Sequence, residues 1–351
     1  GEQELMLTII ATLFIIGLLV FVHEGGHFLA AKAVGVRVYE FALGFGPKVL
    51  SFKGKETRYS LRGIPLGGFV ALAGMDQPPE AEEAVAEDDP KNFQSRPLWQ
   101  RMLIIASGPL MNFVLAILLF ALYFNQLGVL TSPIQEVQKG SAAQEAGLQV
   151  GDILVGTSPN TPLTSEQLAW KINRSANKPF RIFFLRNGKQ ESRLVTPKAQ
   201  KDGSGLLGIS FGGEGRLYRL GAWGSIKQAW LYNNLMLQMV VQALGKMFRG
   251  TGLKEMTGPV GMFKVVGQVA PHGFLPLLGL AAMISTNLGL FNLIPLPVLD
   301  GGWILFLVIE GVRGKPLKPE QQGMAQMVGM ALLLLLFVLV TFQDIVRLKL
   351  F

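Results

Sequence analysis

The sequence predicts a multi-pass α-helical membrane protein with four transmembrane helices, a membrane-associated β-loop after the first, and a small α+β domain inserted between the second and third. Half of the 351 residues are hydrophobic and only 16 % are charged, and the mean hydropathy of +0.38 is high for a soluble chain. Four apolar runs reach the roughly 20 residues that a membrane-spanning helix needs. These runs are 5–34, 102–124, 274–312 and 324–343.

Basic residues are distributed unevenly around these runs, and this distribution predicts the orientation. No Lys or Arg precedes the first span, whereas the loop 35–101 is rich in both. The positive-inside rule therefore places the N-terminus outside and this loop in the cytoplasm. Within the loop, the acidic run 80–89 is typical of a solvated, mobile segment. The net charge of +8 indicates contact with anionic lipid rather than with nucleic acid.

The first span contains the sequence His23-Glu24-Gly25-Gly26-His27. On a helix, residues four apart lie on one face, so the two imidazoles can bind the same metal ion. Glu24 is then placed to act on water at that ion. Ionisable side chains are costly at membrane depth and rare there without a function. The motif therefore indicates a metal-dependent hydrolase whose site lies inside the membrane, nearer to its cytoplasmic face.

Catalytic zinc sites usually have three protein ligands, so a third must come from elsewhere in the chain. The candidate is Asp300, which follows a helix break at Pro295 and Pro297 in the third span. Broken backbone at membrane depth is tolerated only where it is buried in protein or lines a cavity. The alternative is that Asp300 caps the next helix. His272 lies at the outer end of this span, so we assign it a loop role.

The insert at 129–212 has short β-like runs and two helix-like pieces. Asn187-Gly188 between two of these runs is a strong hairpin signal. Segment 140–154 resembles part of a PDZ domain, a fold whose groove takes an extended peptide as an added strand. The alternative is a spacer without a ligand. The predicted strands are 134–137, 153–155, 181–185 and 192–196, and the predicted helices are 141–147 and 164–173.

Segment 217–249 is apolar enough to suggest a fifth span. A polar stripe at helical spacing and two tryptophans seven residues apart on another face instead favour a helix that lies in the outer membrane interface. A fifth span would also reverse the third one, so that its end could not reach the paired histidines.

Together, these motifs resemble the site-2 protease family of intramembrane zinc metalloproteases. The first span carries H-E-x-x-H, the third carries N-x-x-P-x-P-x-L-D-G, and a PDZ-like insert lies between them. The similarity is greatest to the bacterial branch that cuts anti-sigma factors, here with a single PDZ domain. The resemblance implies a Zn²⁺ cofactor held by His23, His27 and Asp300, with Glu24 as the general base. Further similar segments are 43–47, 65–69, 108–112 and 258–261.

The resemblance also implies how a substrate is held. A re-entrant β-loop, for which 57–73 predicts a strand pair, would add the substrate as an edge strand. The resemblance assigns substrate binding at this loop to Gly44, Gly46, Gly67 and Gly68. It also implies that Asn292 forms a hydrogen bond with the substrate backbone. For Asn292 the alternative is a local cap beside the proline break.

The implied partners are a transmembrane protein or leftover signal peptide as substrate, the lipid bilayer, and a peptide at the PDZ groove, without nucleic acid. The implied location is the bacterial plasma membrane, with the active site toward the cytoplasm and the PDZ domain outside. The PDZ domain would exclude bulky ectodomains. A non-catalytic membrane scaffold with a structural metal is the main alternative, and a metal transporter is a third. The scaffold needs a fourth protein ligand and the transporter needs several intramembrane carboxylates, neither of which the sequence offers.

Overall fold

The computed structural model describes residues 2–76, 85–248 and 258–348. Its helices are α1 (Glu2–Ala33), α2 (Leu98–Leu127), α3 (Ala142–Glu145), α4 (Ser165–Asn173), α5 (Ala222–Phe248), α6 (Pro259–Val269), α7 (Phe274–Asn292), α8 (Asp300–Arg313) and α9 (Pro319–Arg347). Its strands are β1 (Val38–Lys53), β2 (Arg58–Leu72), β3 (Val129–Thr131), β4 (Ile134–Val137), β5 (Ile153–Gly156), β6 (Phe180–Arg186), β7 (Lys189–Val195), β8 (Lys198–Ala199), β9 (Gly205–Leu206), β10 (Ile209–Phe211) and β11 (Arg216–Tyr218).

Contacts between these elements divide the chain into two compact units. The first comprises residues 1–116 and 239–351, and the second comprises 117–238. Helix α2 begins in the first unit and ends in the second, and α5 does the reverse. Residues 80–84 of the predicted acidic segment and residue 249 of the predicted interfacial helix lie outside the described residues.

Four helices among the described residues are long and apolar enough to cross a membrane. They are α1, α2, α7 and α9, and their positions correspond to the four predicted spans. Each of the three uninterrupted helices runs about three to five residues beyond at least one end of its predicted span, because polar end turns do not show in an apolar run. By length and composition α5 is not among them.

The third span is broken, as the proline pair predicts. Helix α7 ends at Asn292, seven residues follow without helix, and α8 begins at Asp300. Within the break Val298 has φ of +98°, a strained conformation for a β-branched residue. A Cβ at Gly301 or Gly302 would meet carbonyl groups of residues 293–297. Glycine at these two positions therefore lets the break fold closely over the start of α8.

The segment after α1 forms a β-structure that differs from the prediction. The sequence predicts a strand pair within 57–73, whereas the structure has one long strand, β2, across this segment, paired with β1. Residues 38–43 of β1 align with 68–72, and residues 48–53 align with 58–62. Both strands bend, at Gly44 and Gly46 in β1 and at Gly67 in β2, all with positive φ. These bends let one strand pair form several short ladders, which alternation in the sequence alone does not reveal.

The second unit has the strands and helices expected of the insert. Strand β4 lies at 134–137 as predicted, and β5, β6 and β7 form one antiparallel sheet in which a turn at Asn187-Gly188 joins the last two. Helix α4 begins with a capping box at Thr164. The core of the second unit consists of buried apolar side chains, among them Ile134, Leu148, Leu154, Leu168, Ile172, Ile182, Phe184, Val195 and Leu207. Strand β11 pairs with β3, so this unit extends beyond residue 212.

The sequence pattern misplaced the start of one helix and missed another helix. The predicted helix 217–249 begins only at Ala222, because residues 216–218 form β11 instead. Helix α6 at 259–269 was not predicted. Its first turn is fixed by Asp344 of α9, whose carboxylate accepts a hydrogen bond of 2.6 Å from the Gly261 backbone. This contact joins residues 83 positions apart, so no local pattern announces it.

Candidate metal centre

The two histidines of α1 and the aspartate of α8 meet in the first unit. His23 and His27 are both 8 % exposed, and their Nε2 atoms lie 3.3 Å apart. Asp300 faces the pair: its Oδ2 is 3.1 Å from Nε2 of His23, and its Oδ1 is 3.4 Å from Nε2 of His27. Among the described residues this is the one group of three or more potential metal ligands.

These distances can be compared with those that zinc requires. Ligand atoms about 2.05 Å from a tetrahedral zinc ion are roughly 3.3 Å from one another. The three observed separations of 3.1, 3.3 and 3.4 Å lie around that value. In addition, Asp300 Oδ2 is buried and has no hydrogen-bond partner. Two imidazole nitrogens and a carboxylate that converge at these separations form a ligand set that fits a divalent cation.

Helix α2 supports both imidazoles with a single face. His27 Nδ1 donates a hydrogen bond of 2.9 Å to the carbonyl of Ile104. A Cβ at Gly108 would collide with the His27 ring, so only glycine leaves room for it. The amide nitrogen of Asn112 lies 3.0 Å from Nδ1 of His23. The three residues are four apart on α2, as the histidines are on α1, so the helices match face to face.

The two glycines between the histidines have different surroundings. A Cβ at Gly26 would clash with the backbone carbonyl of Ser107 and the side chain of Met111, whereas one at Gly25 would meet no atom within 4 Å. Close packing of α1 therefore requires glycine at Gly26. The missing side chain there lets α1 and α2 approach closely enough for the contacts described above.

A cleft of about 380 Å³ opens at the three ligands. Glu24 lines it beside them, and so do Asn292 at the end of α7 and Gly67 and Gly68 of β2. A Cβ at Gly68 would crowd the Glu24 side chain, so this glycine lets the strand lie against α1. Gly67 marks the bend of that strand.

Three further residues that the sequence analysis considered, Gly44, Gly46 and His272, lie outside this cleft. Gly44 and Gly46 form the bend of β1 and do not line this cleft. His272 is exposed in a short 3₁₀ turn before α7, where Nδ1 bonds the carbonyl of Gln268. Asp300 is the first residue of α8, and the N-cap position belongs to Leu299. Its carboxylate faces the histidines, which disfavours a purely local capping role.

Asn112, Gly108 and the Ile104 carbonyl were not recognised as parts of the site from the sequence. Asn112 is fully buried within a helix that could cross a membrane, and a buried polar side chain at such depth is a signal of function. Its four-residue spacing from Gly108 was a second signal. Neither signal states which helix the face would meet.

Comparison with known proteins identifies the family of the chain. The model of peptidase family M50 matches residues 11–336. The chain is 33 % identical to the zinc metalloprotease RasP of Geobacillus kaustophilus, over 97 % of this chain and 98 % of the relative. It is 32 % identical to the zinc metalloprotease RasP of Bacillus licheniformis, over 98 % of this chain and all of the relative. It is 31 % identical to the regulator of sigma-W protease RasP of Bacillus subtilis, over 97 % of this chain and 99 % of the relative. The chain therefore belongs to peptidase family M50.

Proposed function

We propose that this zinc metalloprotease hydrolyses peptide bonds in or near the transmembrane segments of other membrane proteins, with zinc held by His23, His27 and Asp300. The observation that carries the proposal is the convergence of these three side chains within 3.4 Å of one another, from two distant helices. When bound, zinc supplies a Lewis acid that polarises the scissile carbonyl and acidifies water. Within the described part of the chain three ligands converge, which leaves the open position that a catalytic site needs.

Glu24 is proposed as the general base. It lines the same cleft, next to the histidines that flank it in sequence. It would take a proton from the attacking water and deliver it to the leaving amine. The chain's own groups thus carry the proton through both halves of the hydrolysis.

The cleft also suggests how a substrate is bound. A helical substrate hides its carbonyl groups in hydrogen bonds and must unwind, which in lipid costs several kcal/mol for each unpaired group. The edge of β2 at Gly67 and Gly68 borders the cleft and would offer replacement backbone partners by strand addition. Asn292, at the end of α7, also lines the cleft. Its side-chain amide is proposed to form a hydrogen bond with the extended backbone of the substrate. Gly44 and Gly46 would act indirectly, through the shape of the sheet.

The proposed substrate classes follow from the family and the relatives' names. One relative is named as a regulator of sigma-W protease, so single-span anti-sigma factors are proposed substrates, together with remnant signal peptides. We propose a bacterial plasma-membrane location, with the active site toward the cytoplasm because the loop 35–101 is basic. The second unit would then lie outside as a PDZ-like peptide-binding domain. Helix α5 would lie in the outer interface, where Trp223 and Trp230 are exposed.

The test uses the purified full-length chain and a single-span model substrate. Glu24→Gln should retain zinc and lose about 10²- to 10⁴-fold in cleavage rate, whereas Asp300→Ala should lose both. Glu191→Gln, the same chemical change on β7 of the second unit, is the matched control and should behave as wild type. Undiminished cleavage by Glu24→Gln would contradict the general-base role. Full zinc retention by Asp300→Ala would contradict the ligand set and favour the scaffold alternative.

A further inference from the structure

We infer that Asn112 is a positioning residue that holds His23 in its metal-binding tautomer, and that it does so as a hydrogen-bond acceptor through Oδ1. The starting observation is the side chain itself. Asn112 is fully buried in α2, its amide nitrogen lies 3.0 Å from His23 Nδ1, and its Oδ1 has no hydrogen-bond partner. This inference rests on the proposed metal centre.

The protonation pattern of the two histidines decides the direction of the bond. An imidazole nitrogen binds a metal only through its lone pair, so a neutral ligand histidine carries its proton on the other nitrogen. His27 already satisfies this condition, because Nδ1 donates its proton to the Ile104 carbonyl and the lone pair of the neutral ring is then on Nε2. In the proposed centre His23 would bind the metal through Nε2, the nitrogen beside Asp300, so its Nδ1 would then carry the proton.

A protonated Nδ1 cannot face an amide NH₂, because both groups are donors. The oxygen and nitrogen of an asparagine amide are related by half a turn and have nearly the same shape, so their assignment rests on the hydrogen-bond network. In the orientation present, Oδ1 of Asn112 has no hydrogen-bond partner, so no contact of this oxygen fixes the orientation. A metal at Nε2 does choose: it requires Oδ1 of Asn112 to accept the His23 proton.

The backbone of Asn112 is itself held in place. Its carbonyl accepts a hydrogen bond of 2.8 Å from the Ser285 hydroxyl of α7, which is also fully buried. Asn112 therefore connects α7 and α2 to the ligand on α1. Partners that accept the second ring proton of a metal-bound histidine orient the ring and raise its basicity. Of the two such contacts here, that of Ile104 is a backbone carbonyl, so Asn112 is the one that a substitution can remove.

Two substitutions distinguish whether the Asn112 side chain acts as a hydrogen-bond acceptor, as a donor, or only by occupying space. Asn112→Asp keeps an acceptor and has no donor when ionised, whereas Asn112→Leu has a similar volume and neither group. Asn233→Leu makes the same change at another buried asparagine, in the second unit, and is the control that should leave zinc affinity unchanged. Zinc affinity of the full-length chain is measured by competition with a chromophoric chelator. The zinc-induced rise in unfolding temperature gives a second reading independent of catalysis.

Asn112→Leu should bind zinc about 10- to 100-fold more weakly, and Asn112→Asp should bind it at least as tightly as wild type. Wild-type affinity in the Leu variant would overturn the inference, and so would an Asp variant as weak as the Leu variant. If the Leu variant does not fold, the Asp variant still decides. A lower unfolding temperature of the apoprotein with unchanged zinc affinity would show a packing role only. If the wild-type chain itself bound no zinc, the proposed function would fail rather than this inference alone.

Discussion

Gly108 is the position where a single methyl group should disable the proposed metal centre although no ligand is replaced. A Cβ added there would lie 2.5 Å from Cε1 and 2.9 Å from Cδ2 of His27, and closer still to Nε2. Ordinary contact between such atoms needs about 3.5 Å. The imidazole would therefore have to retreat by about 1 Å. The Ile104 carbonyl, which fixes the other side of the ring, opposes that movement.

The expected cost of Gly108→Ala follows from this displacement. A misplacement of about 1 Å in a reacting constellation can cost on the order of 10²-fold in rate, equivalent to about 2.7 kcal/mol. The fold itself should survive, since alanine favours a helix over glycine by about 1 kcal/mol. We therefore expect weaker zinc binding and slower cleavage in a protein that still unfolds cooperatively.

Gly25→Ala is the matched control. It makes the same change inside the metal motif of α1, where a Cβ meets no atom within 4 Å. Zinc content, zinc affinity and single-turnover cleavage of a single-span substrate are compared between the two variants in the same detergent. Equal zinc affinity and equal cleavage in Gly108→Ala and Gly25→Ala would refute the reasoning. That result would mean that α2 does not press on His27 as the structure indicates.

Two further predictions concern the stability of each unit. The Arg101 guanidinium of α2 contacts both carboxylate oxygens of Glu310 on α8, and both side chains are largely buried. Arg101→Met should lower the free energy of unfolding by about 3–5 kcal/mol because it leaves a buried charge unpaired, and the double variant Arg101→Met/Glu310→Met should regain most of this loss. Thermal unfolding in detergent measures the stability of both variants. An unchanged stability of the single variant would contradict the pairing. In the second unit, Phe184→Ala should cost about 3–5 kcal/mol at a fully buried core position. Amide exchange should rise in residues 129–218 while zinc affinity stays unchanged, and zinc loss would argue against separate units.

Local periodicity accounts for what the sequence predicts well. Four residues between two histidines place both on one face of any helix, whatever packs against it. Likewise, the proline pair predicts the break before Asp300, and Asn187-Gly188 predicts the turn between two strands of the second unit. In each case the determining physical interaction lies within a few residues.

The parts that escaped prediction depend on contacts between distant segments. Strand β1 was missed because its bends at Gly44 and Gly46 interrupt the alternation that identifies a strand. The role of Asn112 depends on α1 lying 89 positions away in sequence. A buried amide in an apolar helix indicates some polar partner, but the pattern of α2 alone does not identify His23 as that partner.

The broken third span explains how a carboxylate can serve at this depth. A continuous helix from Phe274 to Arg313 would be about 60 Å long, twice the thickness of the hydrocarbon core. The break divides it and makes Asp300 the first residue of a new helix. The partial positive charge at a helix N-terminus favours the ionised carboxylate, which is otherwise costly in a membrane. The strain at Val298 and the two glycines after Asp300 are local consequences of that arrangement. In the proposed centre, the carboxylate that would have to stay ionised thus begins a helix, whereas the histidines that would have to stay neutral lie within one.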